Sequence, residues 1–223
     1  MARSPQDNTN FASSMIARMT EAVQRVEIVT PYSFLVHTEK FPPARVGVLS
    51  INKVEASDVQ RLLDADPRVE FIANIPKVGV WQGSAIHLLQ EKGIAFGPVK
   101  HLMGAISGRR DEEPLNDYEH AETKYFKTIL SQHKNLHHLV RVTDLIYEFH
   151  RKNGEPLLIA GLNDYELTGV MIRAAVAQHG HASIIFATNP NGGPTPEAYD
   201  AANSMGIELY DQRNDFYRRL HTP

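Results

Sequence analysis

The sequence predicts an α/β protein made of two similar halves, each a small mixed sheet flanked by helices. Two observations lead to this prediction. Short runs rich in Val, Ile and Phe alternate with longer segments whose apolar residues recur at helical spacing. The same order of helix, hairpin, strand, helix, strand, helix and strand then occurs twice along the chain.

The composition is that of an ordinary globular protein, with 223 residues, 42% hydrophobic and 22% charged, and a formal net charge of -3. Because the chain has no cysteine, disulfide scaffolds, thiolate zinc sites and cysteine nucleophiles are excluded. With no basic excess, nucleic-acid binding would need a local positive patch. A polar N-terminus and the lack of a run near the roughly 18 apolar residues of a membrane helix predict a cytoplasmic protein with no membrane partner.

The first half begins with a helix over 11–25, in which Ile16 and Met19 fall on one face. Pro31 interrupts the strand region that follows. Ser57 is expected to cap the next helix, and Gly93 to end the last one. The other predicted elements are strands over 26–39, 45–51, 69–74 and 94–96, and helices from 57 and over 84–92.

The second half repeats this plan after a charged linker over 107–118, so we expect one domain over 1–106 and another over 119–223. Asn153-Gly154 predicts a hairpin turn, and Gly180 and Gly206 are expected to end helices. The predicted helices cover 119–133, 167–179, 196–205 and 214–220, and the predicted strands 138–150, 156–162, 183–188 and 207–210.

Matched residues indicate that the halves arose by internal duplication. Val46 lies 111 positions before Leu157, and Gly93 lies 113 positions before Gly206. The other matched pairs are Asn52 with Asn163, Val59 with Val170, Pro76 with Pro190, Ala85 with Ala198, and Ile94 with Ile207. The small differences in spacing are expected to lie in loops.

Three segments of the second half carry a resemblance to a known family: DLIYEFHRKNGEPLLIAGL (144–162), IRAAVAQHGHASIIFATN (172–189) and TPEAYDAANSMGIELYDQ (195–212). They resemble the PD-(D/E)XK nuclease superfamily, in particular the catalytic domains of type IV restriction enzymes. In that family a hairpin near an Asp leads to a strand with Glu-x-Lys, then helix, strand, helix and strand. The resemblance implies a restriction-endonuclease-like fold in this half and, through the duplication, in the first.

The chemistry that the resemblance implies is phosphodiester hydrolysis, in which two carboxylates hold Mg²⁺ and a lysine positions the attacking water. Asp144 stands where the first carboxylate belongs and would be the metal ligand. The Glu-x-Lys positions fall on Ala160 and Leu162, which can neither bind a metal nor orient water. The corresponding residues of the first half are Ser33, Leu49 and Ile51. The resemblance therefore implies a degenerate active site.

A rearranged site around Asp144 is the alternative. Glu148 would share a strand face with Asp144, because side chains at even spacing point to one side. Glu148, Asp164 or Glu166 would supply the second carboxylate, and Arg173 would replace the lysine. Under the structural interpretation, Asp164 and Glu166 only precede a helix. The cofactor is Mg²⁺ if this site is active, and none otherwise.

Basic and aromatic side chains are candidate nucleic-acid contacts. Lys77 and Trp81 lie in a glycine-containing loop before a helix, where backbone N–H groups can bind phosphate and Trp81 would stack on a base. Arg141, Arg151 and Lys152 form a second group of positive charge. The structural alternatives are an ordinary turn with Trp81 as a lid over the core, and a solvated charged face.

Three hypotheses follow for the function. The preferred one is a catalytically degenerate, nuclease-like protein that binds DNA, RNA or a protein partner, and the resemblance implies a role in bacterial defence. The second is an active Mg²⁺-dependent nuclease with a site around Asp144. The third is a structural or regulatory homo-oligomer, in the simplest case a homodimer, that does not bind nucleic acid.

Overall fold

The computed structural model describes residues 4–19, 22–76, 79–107, 115 and 118–222. Two compact units divide the chain: unit 1 is Met1–His120 and unit 2 is Ala121–Pro223. Each unit is a five-stranded mixed sheet flanked by helices, so the predicted α/β class with two similar halves is confirmed at this level.

The elements of unit 1 are, in chain order, α1 (Pro5–Met19), β1 (Val23–Thr30), β2 (Ser33–Thr38), β3 (Ala44–Leu49), β4 (Lys53–Val54), α2 (Ala56–Ala65), β5 (Phe71–Asn74), β6 (Val80–Trp81), α3 (Gly83–Glu91), β7 (Ala95–Pro98), a 3-10 turn (Val99–His101) and α4 (Leu102–Ser107). Those of unit 2 are α5 (Ala121–Ser131), β8 (Leu136–Arg141), β9 (Ile146–Arg151), β10 (Leu157–Leu162), β11 (Glu166–Leu167), α6 (Gly169–His179), β12 (Ile184–Ala187), β13 (Gly193–Pro194), α7 (Pro196–Ser204), β14 (Glu208–Tyr210) and α8 (Arg213–His221).

The two main sheets have the same topology. Their strand orders are β1-β2-β3-β5-β7 and β8-β9-β10-β12-β14. In each sheet the first three strands form an antiparallel meander, and the last two join it in parallel through helical crossovers. A small parallel ladder, β4 with β6 or β11 with β13, accompanies each sheet.

The strand registers of the two units repeat at one constant spacing of 113 residues. Ser33 pairs with Gly47, and Ile146, 113 positions later, pairs with Ala160. The other pairings repeat in the same way, and so does an irregularity near the start of the first hairpin strand. The spacing of 111 inferred for the third strand, and for the pairs Asn52 with Asn163 and Val59 with Val170, is therefore wrong by two residues. That of 114 for Pro76 with Pro190 is wrong by one, whereas that of Gly93 and Gly206 is right.

The corrected spacing also changes which residues correspond between the units. Pro31 replaces Ser33 as the counterpart of Asp144. The counterparts of Ala160 and Leu162 are Gly47 and Leu49, not Leu49 and Ile51. The spacing of 113 holds from the first hairpin to the last strand of each sheet. Each residue of one unit can therefore be compared with the residue at the same position of the other unit.

Each sheet has an apolar core on both faces. In unit 1, α1 and α4 cover one face and α2 and α3 the other. In unit 2, α5 and α8 cover one face and α6 and α7 the other. Buried β-branched and aromatic side chains of the strands meet these helices, as expected for strands covered on both sides. None of the described helices is both long and apolar enough to cross a membrane.

Local capping explains where the structure departs from the predicted boundaries. The first helix begins at Pro5 rather than at 11, because Ser4 and Asp7 exchange hydrogen bonds across its first turn (Ser4 Oγ to Asp7 Oδ2, 2.7 Å). Ser57 does not cap α2; the helix starts one residue earlier, and Asp58 accepts a hydrogen bond from the Glu55 N–H at 3.1 Å.

Left-handed glycines end matching helices in both units. Gly93 follows α3 with φ 63°, and Gly206 follows α7 with φ 69°. A side chain is strained in this conformation, so glycine is the residue expected at these positions. The two predicted helix ends are confirmed.

Part of the predicted linker belongs to unit 1. Leu115 is buried in the unit 1 core, and the ring of Tyr118 lies 6.5 Å from that of Phe71. His120 stacks on His101 with ring centroids 3.9 Å apart. Burial, together with the charges of His120 and Lys100, lowers the pKa of His101 to about 4, so His101 is neutral at pH 7. Residues 108–114, 116 and 117 of this segment lie outside the described residues.

Candidate functional site

Asp144 lies in the turn between β8 and β9, not within a strand as predicted. Its Oδ1 is 3.4 Å from Nδ1 of His179 at the end of α6, and Thr143 Oγ1 lies 3.4 Å from the same ring nitrogen. Thr143 Oγ1 also accepts hydrogen bonds from the N–H groups of Leu145 and Ile146. These contacts join the hairpin turn to the end of α6.

The other proposed catalytic residues contact different neighbours. Glu148 lies in β9, with Oε2 3.1 Å from His150 Nε2. Glu166 is exposed in β11 opposite Gly193, and Arg173 is exposed on α6. Among the residues that the structure describes, no group of three or more His, Asp or Glu side chains is arranged to hold a metal ion.

The positions that would carry Glu-x-Lys are part of the apolar core. Ala160 and Leu162 are buried and pack with Ile146, Ile185 and Ala187 beneath α6 and α7. Converting either residue to a charged one would bury an ion in this core at high cost. The two positions at which the sequence lacks Glu and Lys are therefore positions of the packed core.

The proposed nucleic-acid contacts of unit 2 are largely engaged within the fold. Arg151 is buried; its Nε donates to the Glu155 carbonyl at 2.7 Å, and its Nη1 donates to the Thr222 carbonyl. Lys152 Nζ donates to the Lys134 carbonyl at 2.8 Å. The Arg141 guanidinium donates to the Asp144 carbonyl at 3.2 Å and lies over the Tyr147 ring.

In unit 1, the tryptophan proposed to stack on a base is buried. Trp81 is 3% exposed, and its ring centroid lies 4.8 Å from that of Phe96. The indole therefore presents no free face for stacking and acts as a lid over the core beside α2 and α3. Lys77, the other candidate of this loop, lies outside the described residues.

A buried ionic cluster in unit 1 was not anticipated. Asp66, at the end of α2, accepts hydrogen bonds from Arg45 Nε at 2.6 Å and from Ser33 Oγ at 2.5 Å. Burial alone would raise the pKa of Asp66, but the hydrogen bonds from Ser33, Arg45 and the Arg68 N–H outweigh burial and lower it. His179 occupies the position of Asp66 in unit 2. Both residues tie the end of a helix to the hairpin, so the cluster is structural.

A surface pocket of about 460 Å³ lies between β14 and α8. Arg219 Nε contacts both carboxylate oxygens of Glu208 at 2.8 and 2.9 Å, whereas the buried Nη1 of Arg219 has no hydrogen-bond partner among the described residues. Arg218 lies 3.2 Å from Asp215, and Asp211 also lines the pocket. Burial and the hydrogen bond to Glu208 raise the pKa of Tyr210 to about 12. The pair of Arg219 with Glu208 joins α8 to β14, whereas Arg218 and Asp215 pair within α8.

The most unusual surface of unit 2 is the outer face of α6, which the sequence did not single out. Val170 is 73% exposed, and Ala174 and Ala177, on the same side, are exposed as well. Tyr165, just before the helix, is 72% exposed, and Met171 adds a further apolar group. We call Tyr165, Val170, Met171, Ala174 and Ala177 the α6 face.

The matching helix of unit 1 shows that the fold does not require an apolar surface here. At the constant spacing of 113, the counterparts of Val170, Ala174 and Ala177 are Ser57, Arg61 and Asp64, all exposed on α2. The counterparts of Tyr165 and Met171 are Asn52 and Asp58. One topological position is therefore polar in unit 1 and apolar in unit 2.

The α6 face was overlooked in the sequence because α6 is apolar almost all round, which is typical of a buried helix. The signal that could have identified it was the comparison with α2.

Comparison with known proteins finds no match: no protein-family model, curated protein or solved structure resembles the chain significantly. Functional inference therefore depends on the geometry of the molecule itself.

Proposed function

We propose that this protein acts by self-association, as a structural or regulatory homo-oligomer that uses the α6 face and does not hydrolyse nucleic acid. The observation that supports this function is the apolar α6 face where α2 of the same fold is polar. Contiguous apolar patches on proteins are frequently interaction surfaces. The α6 face consists of three exposed larger side chains, Tyr165, Val170 and Met171, and two alanines, and such a surface suits close packing against another helix.

The alternative of a nuclease or a nucleic-acid-binding protein receives less support from the same geometry. Hydrolysis would need a second carboxylate beside Asp144 to hold Mg²⁺, but among the described residues no group of three or more His, Asp or Glu side chains is arranged to hold a metal ion. Arg151 and Trp81, two of the proposed nucleic-acid contacts, are buried. A phosphate-binding surface requires accessible cations, which these positions do not supply.

Val170→Asp is expected to weaken self-association at least tenfold. Burying a valine contributes roughly 1.5–3 kcal/mol, and each 1.4 kcal/mol is a factor of about ten in the dissociation constant. Because Val170 is exposed in the first turn of α6, an aspartate there suits the helix dipole and leaves folding intact. Sedimentation velocity over a dilution series, with circular dichroism as the folding check, measures both effects.

Ser57→Asp is the matched control, since it introduces the same charge at the same position of the other unit. It is expected to sediment like the wild type. A wild-type protein that remains monomeric up to the highest concentration tested would overturn the proposed function. Equal weakening by both variants would show a general effect of negative charge and would contradict a role for the α6 face.

We expect purified protein to leave labelled single- and double-stranded DNA and RNA uncut and unshifted at low salt, with Mn²⁺ or with chelator. The physical reason is that Trp81 and Arg151 are buried and that Arg141 and Lys152 are hydrogen-bonded within the fold. A native gel measures both binding and cleavage. Degradation that depends on Mn²⁺ and disappears in Asp144→Ala would revive the nuclease hypothesis, and a shift without degradation would favour a nucleic-acid-binding module.

A further inference from the structure

A pair of stacked histidines holds the last residues of unit 1 against the rest of that unit. The ring centroids of His101 and His120 lie 3.9 Å apart, and the ring planes are within 7° of each other. His101 ends the 3-10 turn between β7 and α4, whereas His120 is the last residue of unit 1 and directly precedes α5. The stack therefore lies at the point where the chain leaves unit 1.

The surroundings of the stack are closely packed. A Cβ atom at Gly97 would lie 3.1 Å from Nδ1 of His101, so the imidazole ring occupies the space beside this glycine. Two residues before His120, the ring of Tyr118 packs on that of Phe71. Both histidines are half-buried. A proton added to His101 would therefore place a charge where water solvates it poorly.

The charged groups around His101 disfavour its protonation as well. His120 and Lys100 both repel a positive charge on this ring, and together with burial they hold the pKa of His101 at about 4. The flanking elements β7 and α4 contain no charged residue. The other charged residues of the segments that pack against the turn, none of which contributes appreciably to the pKa of His101, are Asp7 and Arg18 of α1 and Glu119.

We propose that the stacked histidines are an acid-sensitive clip, which holds residues 118–120 on unit 1 at neutral pH and releases them when His101 takes up a proton. This device does not depend on the proposed self-association. Neutral aromatic rings attract each other when stacked, whereas a charged His101 would face Lys100 and the ring of His120 in a half-buried position. Burial raises the pKa of Tyr118, so this neighbour stays uncharged in acid and does not offset the new charge.

The clip is expected to weaken as the pH falls from 6.5 towards 4. In the released state His101 would have its ordinary pKa of 6.5, whereas in the clipped state its pKa is about 4. The released state therefore binds the proton more readily. The stabilisation by the neutral stack is complete above pH 6.5 and is lost as the pH falls to about 4. The difference between the two pKa values limits the change in the equilibrium to about 300-fold.

The absence of cysteine from the chain allows a nitroxide label to be attached at a single position, through Glu119→Cys. Electron paramagnetic resonance then measures the mobility of the label between about pH 7 and about pH 4.5. We expect the ratio of mobile to immobile label to rise at least tenfold over this range, and to return when the pH is restored. The emission of Trp81 in unlabelled protein, which reports on the core of unit 1, is expected to stay unchanged.

Two variants test whether the response comes from the stack. His101→Phe keeps an aromatic ring beside His120 but cannot take up a proton, so its label is expected to stay immobile in acid. His87→Phe is the matched control, because it makes the same exchange at an exposed histidine of α3, and it is expected to respond like the wild type. A response that persists in His101→Phe would overturn the proposal, and so would a label whose mobility is the same at both pH values.

A second measurement needs neither label nor variant. The N–H of Tyr118 donates to the Leu115 carbonyl at 3.0 Å, so its hydrogen exchange reports on the held segment. After correction for the intrinsic effect of pH, we expect its protection to fall at least tenfold between about pH 7 and about pH 4.5. Constant protection would contradict the clip. A fall that is accompanied by a change in Trp81 emission would show acid unfolding of unit 1 and would contradict it as well.

Discussion

Replacing Asp66 by alanine is expected to lower the free energy of unfolding of unit 1 by about 3–5 kcal/mol, the usual cost of breaking a buried ion pair by removing one partner. Asp66 is 2% exposed and accepts hydrogen bonds from Arg45 and Ser33. Without the carboxylate, the guanidinium of Arg45, which is also buried, would have lost its counter-ion. The loss is large because the charge cannot return to water while the unit stays folded.

The measurement is urea denaturation followed by tryptophan fluorescence. Trp81 is the only tryptophan of the chain and lies in the core of unit 1, so its emission reports on that unit. Asp64→Ala, on the exposed side of the same helix, is the control and is expected to cost less than about 0.5 kcal/mol. A fluorescence midpoint for Asp66→Ala that matches the control would refute the structural importance of the pair.

The same pair predicts a dependence on pH. The folded-state pKa of Asp66 lies below its ordinary value of 3.8, so the unfolded chain binds the proton more readily than the folded one. The stabilisation by the carboxylate is therefore complete above that value and is lost as the pH falls through the folded-state pKa. The difference in unfolding free energy between wild type and Asp66→Ala is expected to shrink in this acid range.

Phe216→Ala is expected to lower the free energy of unfolding of unit 2 by about 3–5 kcal/mol, the range typical of removing a buried phenylalanine. Phe216 of α8 is fully buried, and its ring stacks on that of Phe186 of β12 with centroids 4.4 Å apart. Truncation removes this contact and leaves a cavity between the helix and the sheet.

Circular dichroism and tryptophan fluorescence together locate the effect of Phe216→Ala. We expect circular dichroism to show that part of the structure is lost at a lower urea concentration than in the wild type. The fluorescence midpoint of Trp81 is expected to stay close to that of wild type, since Phe216 and Trp81 belong to separate compact units. Phe216→Leu keeps most of the buried volume and is expected to lie near wild type. An unchanged dichroism transition in Phe216→Ala would contradict the packing described for α8.

The sequence by itself determined the class of fold, the order of the main strands and of most helices, and the two-fold repetition of the plan, but not α4 or the short strands β4, β6, β11 and β13. These features depend on local signals: apolar residues at helical or alternating spacing, and glycines such as Gly93 and Gly206 that end helices. Local signals were also misread, because the caps at Ser4 and Glu55 make two helices start earlier than the sequence analysis predicted. The spacing between the halves was predicted two residues too short in the third strand. Residues two positions apart in a strand point to the same face, so a shift by two residues keeps the same pattern of apolar side chains.

The tertiary structure alone decided which candidate residues are accessible and which surfaces lack cover. Arg151 and Trp81 have the chemistry of ligand contacts, but neighbours far along the chain, Thr222 for one and Phe96 for the other, bury or engage them. The α6 face is the opposite case: α6 has the composition of a core helix, yet one side remains exposed, because no described residue of unit 2 covers Val170. Burial depends on long-range packing, which the periodicity of a single segment does not encode.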